Sequence, residues 1–253
     1  MKHRAHRERG VTLMEVLIAV SLLSLLSAGM LTAMRVGLDA MSKSNERLMA
    51  NRRVAGVERI IMQQIAGLMP VMAQCVGNTP EAPRSRMTFF HGEPRAMRFV
   101  STYSLEEAWR GLPRILEYLV IPGQDGEGVR LVVNEIVYTG PAGAGLLCFG
   151  RAIDPVSGAG VPRFARIEAG PHSFVLADKL AACSFAYLEA APVVAPVPRR
   201  DVWRPDWVAE AWPAAVRIEM APLAPDPSRL QPVSITAAVP VRREPGLDYA
   251  NIY

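Results

Sequence analysis

The first long feature of the chain is an apolar run broken by a single charge. From Val11 to Met34 every residue is apolar, small or hydroxyl-bearing except Glu15, and Arg35 closes the run. At about 1.5 Å per residue these 24 residues form a helix of roughly 36 Å, against a hydrocarbon core of about 30 Å. The run therefore predicts a transmembrane helix over 11–34. The pattern then changes without breaking. No proline occurs between Arg35 and Met69, and Val54, Val57, Ile61, Ile65 and Leu68 recur at three- and four-residue spacing, which is one face of an amphipathic helix. One long helix is expected from about Val11 to Met69, stopped by Pro70. Its middle, Ser42 to Arg47, is polar on all sides, and Gly37 and Gly56 are sites where it can bend.

Beyond Pro70 the period shortens. Met97–Val100, Ile115–Ile121 and Val129–Val133 read as strands, and Pro122-Gly123-Gln124-Asp125-Gly126-Glu127-Gly128 joins the last two as a hairpin. Further strands are expected at Asn134–Tyr138, Cys183–Glu189, Ala214–Ala221 and Val233–Val241. The proline-rich Ala191–Arg200 reads as an exposed loop. The expected fold class is α+β: a long N-terminal helix, membrane-spanning in its first half and amphipathic over 35–69, packed on a β-rich antiparallel head formed by 70–253.

Charge assigns sides to this arrangement. The 253-residue chain has a formal charge of +4, and the first ten residues hold Lys2, Arg4, Arg7 and Arg9 against Glu8, so they supply +3 of it. A short basic leader before a span marks the cytoplasmic side, with the larger C-terminal part exported. The remaining +1 gives no warrant for nucleic acid as a partner. Glu15 is the puzzle. A carboxylate in lipid costs several kcal/mol unless it is neutralised or paired, so it implies a partner cation. A cut after Gly10 creates one, because the new α-amino group of Val11 lies about one helical turn from Glu15.

Gly10-Val11-Thr12-Leu13-Met14-Glu15 resembles the prepilin processing site of type IV pilins and type II secretion pseudopilins. The resemblance implies that a membrane-embedded prepilin peptidase cleaves between Gly10 and Val11, that Val11 is then N-methylated, and that Glu15 is the assembly carboxylate. Val11 stands where that family usually has Phe or Met. An ordinary secretory signal, with Ser27-Ala28-Gly29 as its cut site, accommodates Glu15 poorly. A plain single-span anchor with an incidental Glu is the other bland reading. Leu116-Glu117-Tyr118-Leu119, the Leu176–Leu188 run, and Trp203-Arg204-Pro205-Asp206-Trp207 followed by Trp212-Pro213-Ala214-Ala215-Val216 are similar to the J-type minor pseudopilin. By that resemblance the chain sits at the tip of a short pseudopilus, with I- and K-type minor pseudopilins and the major pseudopilin as partners. The three tryptophans read first as cover for the end of a small core, and second as an interface, where Trp is over-represented.

Catalytic chemistry is sparse. His3 and His6 lie in the leader, and His91 and His172 are far from any arrangement suggesting a triad. No phosphate-binding loop or nucleophile elbow is present. Cys75, Cys148 and Cys183 lack metal-ligand spacing; in an oxidising exterior two can pair, in any of three ways. Asp125-Gly126-Glu127-Gly128 has too few carboxylates for a calcium loop and reads as a turn. No cofactor, metal or enzymatic activity is expected. The reading is a minor pseudopilin, with a minor pilin of a type IV pilus or DNA-uptake system as the first alternative and an anchored periplasmic enzyme or binding module as the second.

Overall fold

One helix, α1 (Leu13–Ala66), carries the chain through both of its two structural units, Met1–Asn51 and Arg52–Tyr253. The computed structural model describes residues 11–77, 83–106, 110–124, 126–153, 158, 160–189, 201–207, 209, 211–223 and 232–240. The expected loop Ala191–Arg200 lies outside them.

From Leu13 to Met34 α1 is apolar on every side apart from Glu15. Its segment Leu13–Asn45 is long and apolar enough to cross a membrane, and none of its most apolar window is buried within the chain. A helix can do this in lipid because each backbone group is satisfied inside the segment. The hydroxyls follow the same rule. Ser21 Oγ donates to the Leu17 carbonyl at 2.7 Å, Ser24 to Ser21 at 2.8 Å, Ser27 to Leu23 at 2.8 Å, and Thr32 to Gly29 at 2.8 Å.

In the second unit α1 ends at Ala66 rather than at Met69. Gly67 N–H closes the last turn on the Gln63 carbonyl, and Leu68-Met69 become a short strand, β1. Further strands follow in chain order: β2 (Met72–Cys75), β3 (Ser85–Thr88), β4 (His91–Gly92), β5 (Ala96–Tyr103), β6 (Arg110–Pro122) and β7 (Val129–Val137). After a turn of helix, α2 (Pro141–Ala144), come β8 (Cys148–Ile153), β9 (Gly160–Phe164), β10 (Phe174–Glu189), β11 (Val202–Arg204), β12 (Ala215–Pro222) and β13 (Val233–Ala238). Leu68 had looked helical because its spacing from Ile65 and Ile61 fits a helical face. It extends instead because β5 offers an edge: Leu68 pairs with Ser101 and Met69 with Val100. The same edge caps the helix. Ser101 Oγ donates to the Gln64 carbonyl at 2.7 Å and Thr102 N–H to the Gly67 carbonyl at 2.9 Å, so the terminal carbonyls that a helix leaves unpaired find donors in the sheet.

The main sheet is antiparallel in the order β1-β5-β6-β7-β10-β12-β13, with β4 on β5 and β11 on β10. The expected hairpin joins β6 to β7, with Gly126 and Gly128 at positive φ (76° and 65°), a conformation side chains resist. Asn134–Tyr138 is not a separate strand. It continues β7 to Val137. Strand β10 begins nine residues before Cys183, at Phe174. Its first half pairs with β7 and its second with β12, and Lys179, at φ 53°, lies where the β7 register shifts.

Alternation along the strands builds two cores. On one face Met97, Phe99, Leu116, Tyr118, Val133, Phe185 and Ile218 meet Ile61 and Ile65 of α1, which are 0% and 1% exposed. On the other, Val100 and Ile115 are covered by a second layer made of the β2–β3 and β8–β9 hairpins with Ala144 of α2. Cys75 of β2 and Cys148 of β8 form a disulfide inside this second core, and Cys183 is a buried free thiol of the first. Trp207 and Trp212 belong to the first core as well. Their burial favours the core-cover reading. Trp207 packs on Tyr187, and Gly92 passes so close that a Cβ there would lie 2.6 Å from the Tyr187 ring and 2.8 Å from Trp207 Cβ. Trp203 remains half-buried, with the Arg217 guanidinium 3.8 Å above its ring.

Candidate functional site

The sequence-predicted site lies at the start of α1. Gly10 is outside the described residues; Val11 and Thr12 precede the helix, and Glu15 sits in its first turn. The Thr12 carbonyl accepts Glu15 N–H at 3.0 Å and Val16 N–H at 3.3 Å, which makes Thr12 the residue where the helix begins. Thr followed three positions later by Glu is the pairing that favours a helix start, an additional reason for these residue types that the spacing contained. A carboxylate in the first turn also meets the positive end of the helix dipole. Val11, Leu13, Met14 and Leu17 are 61% to 83% exposed and Glu15 is exposed too. Among the described residues of the first unit, none buries Glu15. The geometry is that of an uncovered apolar helix end carrying one acid, suited to contact with lipid and with other helices.

The head holds two polar constellations that sequence reasoning missed, since both depend on strand register. The first ties α1 to the sheet. Glu135 of β7 accepts Leu105 N–H and Ser104 Oγ–H, each at 2.6 Å, and the Gln64 amide at 3.2 Å. Tyr118 O–H donates to the other end of the same Gln64 amide. Burial, with Glu135 nearby, drives the Tyr118 phenol far above its ordinary value, so it stays a donor.

The second constellation is a row crossing four strands beneath the second layer. His91, Arg98, Glu117 and Asn134 are successive register partners on β4, β5, β6 and β7. Arg98 Nε donates to Glu117 Oε1 at 2.8 Å and Nη2 lies 2.7 Å from it, the side chains being 1% and 7% exposed. Asn134 Nδ2 donates to Glu117 Oε2 at 3.1 Å and to the Glu168 carbonyl at 2.9 Å. Burial is tolerated here because the charges are paired and the carboxylate is further hydrogen-bonded. His91 Nε2 bonds Glu93 at 2.9 Å. His172 is exposed. Among the described residues no group of three or more His, Cys, Asp or Glu is placed to hold a metal ion. The arrangement is architectural: it fixes strands to one another and presents no open nucleophile.

Comparison with known proteins adds one finding at the N-terminus. Residues 5–31 match the family described as the prokaryotic N-terminal methylation motif, which brackets Gly10, Val11 and Glu15. No curated protein matches the chain. The motif is that of type IV pilin-like and pseudopilin proteins, a structural class whose members are processed by a prepilin peptidase and assemble with pilin-like partners. An N-terminal apolar helix followed by an antiparallel β head is the α+β architecture of that class, and the helix is consistent with single-pass membrane anchoring.

Proposed function

We propose that the chain is a minor pseudopilin of a type II protein secretion system, most similar to the J-type, and that it acts as a structural subunit at the pseudopilus tip. The observation that carries this reading is the match over residues 5–31 at the head of one unbroken helix, Leu13–Ala66, whose last turns are built into a β-rich core. Residues 1–10 form the cytoplasmic leader, 11–34 span the inner membrane, 35–69 carry the helix and its exit into the head, and 70–253 lie in the periplasm. Prepilin peptidase cuts between Gly10 and Val11 and Val11 is methylated. The disulfide supports export of the head, because such bonds persist in oxidising compartments.

Assembly follows from the electrostatics of Glu15. Its carboxylate pairs with the α-amino group of a Val11, its own or a neighbour's, since an unpaired charge in lipid is costly while a paired one fixes axial register. Helix ends of the I- and K-type minor pseudopilins and of the major pseudopilin supply the surroundings. Mass spectrometry of the membrane-extracted protein should find an N-methylated Val11 terminus; an uncut Met1 would remove the processing step. Cross-linking to the other pseudopilins should fall in Glu15→Leu at equal protein level. Deleting the gene should abolish secretion of folded exoproteins and leave surface pili intact, whereas loss of pili with normal secretion assigns the subunit to a type IV pilus instead.

A further inference from the structure

Phe164 is the plug that seats β9 on the main sheet. Its ring meets Phe89 edge-on at 5.7 Å, lies under the Arg98 guanidinium at 5.8 Å, and stacks on the His91 imidazole at 4.8 Å with 12° between planes. Two buried nitrogens at this junction have no hydrogen-bond partner, His91 Nδ1 and Arg98 Nη1, and their residues are direct register partners on β4 and β5. The Glu93 carboxylate can only accept, so His91 Nε2 holds the hydrogen and Nδ1 of the neutral ring is an acceptor. Arg98 Nη1 is a donor. A neutral His91 adds no charge to the junction that holds the buried Arg98; a protonated one adds a second donor nitrogen without a partner and a second positive charge.

We infer that His91 is an acid-sensitive latch for the second layer, holding Phe164 and the β8–β9 hairpin on the sheet while neutral and releasing them when protonated. The inference stands apart from the pseudopilin reading, because it uses only the head. The charged groups acting on the ring are Glu93 after β4, Arg98 on β5 and Glu117 on β6; Phe164 on β9 contributes none. Desolvation is the largest influence and holds the His91 value below the ordinary 6.5, with Arg98 acting the same way and Glu93 and Glu117 opposing. A depressed native value means that the unfolded or opened state binds the proton first. The latch is then complete above about pH 6.5 and weakens as pH falls from there through the lower native value.

The test uses the full chain in detergent micelles with isotope-labelled histidine. Only His3, His6, His91 and His172 report, and His91→Gln identifies the signal of interest. The His91 resonance should titrate below the ordinary histidine value of about 6.5. Hydrogen exchange of peptides covering 148–153 and 160–164, corrected for intrinsic rate, should rise between pH 7 and pH 5, by up to about 25-fold, the limit that an opened-state value of about 6.5 sets over that range. The rise should vanish in His91→Gln. A His91 signal titrating at or above about 6.5, or an exchange response unchanged in the variant, overturns the latch; should the variant fail to fold, the wild-type titration alone decides.

Discussion

Breaking the Cys75–Cys148 bond should destabilise the head by an amount set by the length of chain it closes. The two cysteines are 73 residues apart. In the chain-entropy account a loop of that size removes about 4 kcal/mol of unfolded-state freedom at 25 °C. For a unit of about 200 residues each kcal/mol moves the melting midpoint by about 2–4 °C, so reduction should lower it by about 8–16 °C. Both cysteines are buried, at 1% and 0% exposure, so Cys75→Ala with Cys148→Ala adds a small packing loss that reduced wild-type protein does not suffer. Comparing the two separates the constraint from the cavity. The assay is thermal unfolding followed by circular dichroism on protein truncated to begin at Ser42, which retains every residue of the second unit, with and without reductant. A midpoint that moves by less than about 3 °C on complete reduction, or three titratable thiols in the denatured oxidised protein, would refute the reasoning.

Two further outcomes follow. Cys183, whose thiol burial pushes up to about 12, should resist alkylation at pH 8 in the native head and react at once on unfolding; labelling read by mass spectrometry checks it, and rapid native modification contradicts the placement. Glu117→Leu should cost about 3–5 kcal/mol by leaving Arg98 buried and unpaired, while adding Arg98→Met to it should recover most of that loss; denaturant titrations of Glu117→Leu, Arg98→Met and the double variant give the coupling directly, and additive losses would contradict the pairing.

Much of this fold was readable because its signals are long. The apolar run to Met34 and the face formed by Val57, Ile61 and Ile65 span many turns, and Pro122–Gly128 carries enough turn-forming residues to mark its hairpin. The second layer was not readable. Strands β2, β3 and β9 run four or five residues, β9 includes Pro162, and their pairing comes from the chain closing on itself rather than from alternation. Leu68 fits a helical face and a strand equally well, and only the waiting edge of β5 decides between them. Arg98 and Glu117 occupy strand positions that read as solvent-facing, because the layer that buries them is the one the sequence hides. At the N-terminus the methylation motif was legible, since it is made of residues consecutive in sequence.

The hydroxyls of the span bear on how one such helix tells another apart. Side chains of this kind often bridge neighbouring helices in a bilayer, where they lend pairs of helices a direction and a depth. Here the hydroxyl hydrogens of Ser21, Ser24, Ser27 and Thr32 are spent on their own backbone, three or four residues back. What the segment between Val16 and Met34 shows to lipid is nearly featureless, a surface on which other helices can slide and turn at little cost. If such helices bundle as proposed, discrimination falls to the acid in the first turn, and the bundle would behave as a lubricated shaft with a single notch.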